Sequence, residues 1–109
     1  MHVSRILLVP LTLLFTSHGV LAAGGAPSPA RTDSAAQAYE AGLADRDRAE
    51  KLSERAAGAG TARRRVEARV QTAWKRAVRH YQEAIEKDSE MHEAYASLGY
   101  ALRKLGDYE

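Results

Sequence analysis

The side chains able to do chemistry in this chain are few and scattered. His80 and Glu83 form an H-x-x-E pair one helical turn apart. That order is the reverse of the E-x-x-H used by di-iron helical bundles, and no H-E-x-x-H or second ligand pair accompanies it. His80 is therefore expected to be a partly exposed helix residue. His92 falls in the first turn of a predicted helix, where the dipole disfavours an imidazolium. Gly58-x-Gly60 with Arg63, Arg64 and Arg65 behind it resembles a phosphate cradle only superficially, because no G-K-[ST] follows and no strand precedes it. Helix termination explains those glycines better. The absence of cysteine excludes a disulfide framework, a thiolate metal site, a catalytic cysteine and a lipid-modified N-terminal cysteine together. The expectation is a non-enzymatic protein with no catalytic residue, no metal site and no cofactor.

The elements that position these residues must come from a short chain. Its 109 residues leave room for one small domain at most, and a domain of this size buries only about 60% of the surface of its unfolded chain. Sixteen Lys and Arg against fourteen Asp and Glu give a formal charge of +2, too near balance to imply nucleic acid or an acidic membrane as the obligate partner. The arginines of residues 63–79 suggest an alternative, binding to an anionic surface or nucleic acid, but nearby Glu67 favours a solvated face.

At the N-terminus, Arg5 precedes the apolar run Ile6 to Phe15, and small residues end in Val20-Leu-Ala-Ala23. This is the layout of a secretory signal peptide over residues 1–22, cleaved after Ala22. The alternative is an uncleaved anchor that leaves a membrane-tethered scaffold facing outside the cytoplasm. A spanning helix needs about 20 apolar residues, however, and Thr16, Ser17, His18 and Gly19 interrupt the run. Residues 23–33, rich in Gly, Pro, Ser and Ala, are expected to form a flexible linker.

From Ser34 a helix is predicted, capped by Asp33 or Ser34, with Ala35, Tyr39, Leu43, Ala49, Leu52 and Ala56 on one stripe that weakens at Arg46. Asp47 and Lys51 form a favourable i,i+4 pair on its outer face. Gly58-Ala-Gly60 stops this helix and Thr61 caps the next. Val66, Val70, Ala73, Trp74, Ala77, Tyr81, Ala84 and Ile85 then keep helical spacing to Lys87. An antiparallel hairpin over residues 34–88 covers both stripes. Asp88-Ser89 breaks the chain, Ser89 caps a helix from about Glu90 to Lys104, and that helix is expected to bury Tyr95, Leu98, Gly99 and Leu102. Gly106-Asp107 makes a turn, with Asp107 capping a further helix at Tyr108 and Glu109 that two residues cannot sustain.

Residues 77–109 carry a resemblance. Tyr95-x2-Leu98-Gly99-x2-Leu102 and Ala77-x3-Tyr81-x2-Ala84-Ile85 are similar to the two helices of the tetratricopeptide repeat, with Trp74, Gly106 and Tyr108 at flanking packing positions. The match fails upstream, since a shift of one period puts Arg64 under Leu98 and Arg65 under Gly99. The resemblance implies an all-α fold: a capping hairpin followed by the start of a helix-turn-helix array, with residues 89–109 a truncated first repeat. It also implies close packing at Gly99 and Ala84, so that a large side chain at Gly99 overpacks its helix. Leu98, Leu102 and Tyr108 are expected to be under-covered.

Stacks of such repeats resemble troughs that bind peptides or partner helices. On that reading Glu93, Tyr100, Arg103 and Lys104 face the partner, with Tyr100 as aromatic anchor or packed on the preceding long helix. The family's clamp for C-terminal carboxylates is not expected, because Ala96 and Tyr100 occupy the corresponding places. The expected function is an exported, periplasmic or secreted scaffold with a protein or peptide partner and no specific nucleic acid.

Overall fold

The computed structural model describes residues 29–108. The proposed signal peptide, its cleavage site at Ala22, the first part of the linker and Glu109 lie outside them. Helix α1 runs over Pro29–Ala57, a short 3-10 turn over Gly60–Ala62, α2 over Arg63–Lys87 and α3 over His92–Gly106. The fold is all-α, a long hairpin with a third helix laid against it. None of the described helices is long and apolar enough to cross a membrane.

Helix α1 opens five residues before the expected start. Proline at a first helical position has its φ already set and lacks the N–H that would go unpaired there, so Pro29 opens the helix, although the linker was expected to run to residue 33. Asp33 and Ser34 therefore lie inside the helix instead of capping it.

The seam between α1 and α2 follows a heptad spacing. On α1 the buried positions are Ala35, Ala38, Gly42, Asp45, Ala49, Leu52 and Ala56, alternating steps of three and four. On α2 they include Val70, Trp74, Ala77, Tyr81 and Ala84. The two faces are complementary in size: α1 offers mostly Ala and Gly, and α2 supplies the large side chains. Trp74, Tyr81 and Val70 are the largest fully buried residues. Gly42 faces Tyr81 and Asp45 faces His80, so the helices run antiparallel.

This register keeps Ala35, Ala49, Leu52 and Ala56 of the predicted stripe and departs from it in the first half of the helix. Tyr39 and Leu43, expected at its centre, are half-buried on its flank, and Ala38 and Gly42 take the seam. Bulk is the reason. A Cβ on Gly42 would collide with Tyr81 Cε1 and stand 2.6 Å from Cδ1, so the Tyr81 ring fits only over a residue without one. Tyr39 then leans on the ring from the side, centroids 5.8 Å apart.

Helix caps also depart from expectation. Gly60, at φ 55, lies in the left-handed region that favours glycine and reverses the chain between α1 and α2. Thr61 lies in the 3-10 turn, and α2 starts at Arg63 without a side-chain cap. Helix α3 starts at His92 after Met91, also without a side-chain cap. Asp88 Oδ1 accepts the Glu90 N–H at 3.1 Å, and Ser89 gives its carbonyl to Tyr95 Oη at 3.0 Å, so Ser89 shapes the turn and does not cap the helix. Gly106 is the last residue of α3 rather than a turn residue, and the Asp107 N–H bonds back to Lys104 O at 3.3 Å.

Helix α3 is rotated from its predicted face. Ala94, Ser97, Ala101 and Leu105 are buried, whereas Tyr95, Gly99, Leu102 and Gly106 are exposed. Small residues win the interface because α3 approaches a hairpin already crowded by Trp74 and Tyr81. Leu98, Ile85 and Tyr108 are half-buried, and Trp74, Ala77, Tyr81 and Ala84 are buried as expected. A Cβ at Gly99 would meet nothing within 4 Å, so the expected overpacking there does not hold.

Gly42→Ala is predicted to lower stability by about 1 to 3 kcal/mol through overpacking against Tyr81. Gly99→Ala is predicted to raise it by up to about 1 kcal/mol through helix propensity. Thermal unfolding followed by circular dichroism checks both, and equal effects would contradict the register.

Candidate functional site

Three of the four residues predicted to face a partner, Tyr100, Arg103 and Lys104, meet where Tyr100 is held between three helices. Its ring packs edge-on against Trp74 of α2, centroids 5.7 Å apart and planes at 65°. Arg46 of α1 places its Cζ 4.4 Å from the ring centroid, with Lys104 Nζ at 5.5 Å and Arg103 Cζ at 5.9 Å. Three cations around one aromatic ring make a cation–π cluster, strongest for the closest guanidinium.

Glu50 balances the charge. Its Oε1 accepts from Tyr100 Oη at 3.3 Å and from Arg46 Nε at 3.2 Å. Partial burial works to lower the Arg46 pKa, but the hydrogen bond and charge of Glu50 outweigh it, leaving the guanidinium above its ordinary value. Arg46, the weak point of the predicted α1 stripe, thus joins Glu50 in tying α1 to α3. That interruption was the available signal for it; nothing comparable marks Glu50.

Tyr100, Arg103, Lys104 and Asp107 line a shallow hollow of about 330 Å³. Glu93 does not join them. It is exposed in the first turn of α3, near the opposite end of that helix. Of the two roles expected for Tyr100, packing on the preceding long helix is seen, and the half-buried ring also lines the hollow.

A polar chain crosses the seam one turn away. Asp45 is only 7% exposed, and its Oδ2 lies 3.4 Å from His80 Nε2, with Arg48 Nη1 3.8 Å from Oδ1. His80 Nδ1 is 3.7 Å from Glu83 Oε2, and Lys87 Nζ is 2.8 Å from Glu83 Oε1. The hydrogen bond and charge of Lys87 hold the Glu83 carboxyl below its ordinary pKa. These contacts fix side chains across the hairpin and leave no cluster of three ligands fit for a metal ion among the described residues.

Beside it, Tyr39 Oη lies 3.4 Å from Ser97 Oγ, and Tyr81 Oη is buried near the same serine without a hydrogen bond of acceptable geometry. Burial pushes the Tyr81 hydroxyl above its ordinary pKa, against the pull of the Arg46 charge.

Comparison with protein-family models, curated proteins and solved structures finds no match.

Tyr81→Phe removes an unbonded buried hydroxyl and is predicted to raise stability by about 1 kcal/mol at neutral pH. A raised folded-state pKa stabilises below the unfolded value near 10, and that contribution is lost as pH rises through the folded value. Denaturant unfolding across this range should show the wild type losing more stability than the variant; a destabilised variant at neutral pH would contradict the account.

Proposed function

We propose that this chain is an exported, non-catalytic interaction module of tetratricopeptide type that takes an amphipathic helix of a protein partner against α3. The supporting observation is the uncovered stripe of that helix. Tyr95 is 46% exposed and Leu102 50% exposed, with half-buried Leu98 between them. They recur at steps of three and four, the spacing at which one helix reads another. The adjoining stripe of α3, Ala94, Ser97, Ala101 and Leu105, is buried against the hairpin and holds this apolar surface in place.

The Tyr100 hollow lies on the other flank of α3, across its buried face from this stripe; Arg103 and Lys104 there suit acidic side chains of the partner, while Tyr100 offers a ring edge fixed by Trp74 and Arg46. Rigid aromatic anchors cost little entropy on binding. On the repeat resemblance Tyr95, Leu98 and Leu102 are packing positions that a neighbouring helix would cover, and here Tyr95 and Leu102 are uncovered.

The test is site-specific photo-cross-linking from Tyr95 and Leu102 in the exporting cell, with the exposed α2 position Ala68 as control. A discrete partner captured at Tyr95 and Leu102, absent at Ala68, is expected. Leu102→Glu should weaken binding of that partner on the order of tenfold or more while leaving helix content unchanged. Capture from Ala68 alone, or full affinity in the Leu102 variant, would overturn the reading.

A further inference from the structure

A second surface lies on the hairpin where α1 and α2 approach their connecting turn. Two adjoining hollows of about 490 and 320 Å³ share Arg48, Leu52 and Arg69, forming one furrow along the helix pair. Arg48, Lys51 and Arg55 edge it from α1, and Arg69 and Arg76 edge it from α2. Asp47 is the one carboxylate in the lining, and it is engaged with Lys51 Nζ at 2.9 Å. Arg48 makes only the long contact to Asp45. Arg55, Arg69 and Arg76 have no ion pair or hydrogen bond to another described residue.

Three arginines without partners, gathered from two helices above the buried side chains of Leu52 and Ala73, form an arrangement that requires no counter-charge from within the fold. Arg63 and Arg46, by contrast, bond Glu67 at 2.9 Å and Glu50 at 3.2 Å, and Arg64, Arg65 and Arg79, also without an ion pair, line neither hollow. We propose that this furrow binds a short acidic peptide segment, its carboxylates taken by Arg48, Arg55, Arg69 and Arg76.

Geometry selects that class of ligand. Arg48 to Arg55, and Arg69 to Arg76, are each two helical turns, about 10 Å along the axis. Carboxylates three residues apart in a polyproline II segment lie on one face and are also about 9 Å apart. Guanidinium groups match carboxylates in bidentate pairs. A nucleic acid would instead reward a long cationic track, whereas this furrow is short and the whole chain carries a formal charge of only +2. The furrow is separate from the α3 stripe, so the inference does not rest on the proposed function.

The test is fluorescence anisotropy with the full chain and a labelled oligoglutamate, with oligoglutamine of the same length and a single-stranded oligonucleotide of equal charge as comparisons. Oligoglutamate is expected to bind and oligoglutamine not to. Arg69→Ala and Arg76→Ala should each weaken binding on the order of tenfold. Arg64→Ala removes the same charge outside the furrow and should change it by less than about twofold. Circular dichroism of each variant separates lost binding from lost fold. No binding of oligoglutamate by the folded wild type, equal loss in the Arg64 variant, or tighter binding of the oligonucleotide would overturn the proposal.

Discussion

Everything in this fold depends on how closely α1 can approach α2. The Tyr81 ring lies where Gly42 has no side chain, and Ala35, Ala38, Ala49 and Ala56 extend the same shallow face along α1. A small-residue seam on one helix and large side chains on the other give interdigitation without a wide gap between backbones. The seam also fixes register: sliding α1 by one residue would bring a side chain under Tyr81 and turn Asp45 away from His80.

That register decides what α1 turns toward α3. With Ala38, Gly42 and Asp45 in the seam, Tyr39, Arg46 and Glu50 fall on the flank, where they meet Ser97 and Tyr100. The third helix is therefore held by small-residue packing on α2 and by an aromatic and polar clasp to α1. Its apolar side chains of greatest reach, Tyr95 and Leu102, are left on the open side. The same hairpin places Arg48 and Arg55 opposite Arg69 and Arg76, so two unlike surfaces, one apolar and one cationic, arise from a single helix pairing.

Much of this was legible in the sequence. The all-α class, the reversal at Gly58 to Gly60 and the α2 stripe from Val70 to Ala84 follow from large apolar residues at helical spacing and from glycine punctuation. On α1 the positions Ala35, Ala49, Leu52 and Ala56 were legible, but Ala38 and Gly42 were not, because Ala and Gly carry little hydrophobic signal and Tyr39 and Leu43 dominate any reading by bulk. Buried Asp45 was hidden for another reason: its partner His80 is remote in sequence, and only pairing of the helices brings them together. On α3, repeat-like positions drew attention to Tyr95, Gly99 and Leu102, yet Ala94, Ser97 and Ala101 face the hairpin. Of the residues expected to face a partner, Tyr100, Arg103 and Lys104 share a hollow, and Glu93 lies apart from it.

The pairing of Gly42 with Tyr81 is directly measurable by nuclear magnetic resonance. The account predicts nuclear Overhauser effects between the Gly42 α-protons and the Tyr81 ring protons, with the α-protons shifted upfield by the ring current. Gly42 α-protons at random-coil shifts, with Tyr81 contacts to Leu43 or Tyr39 alone, would contradict it.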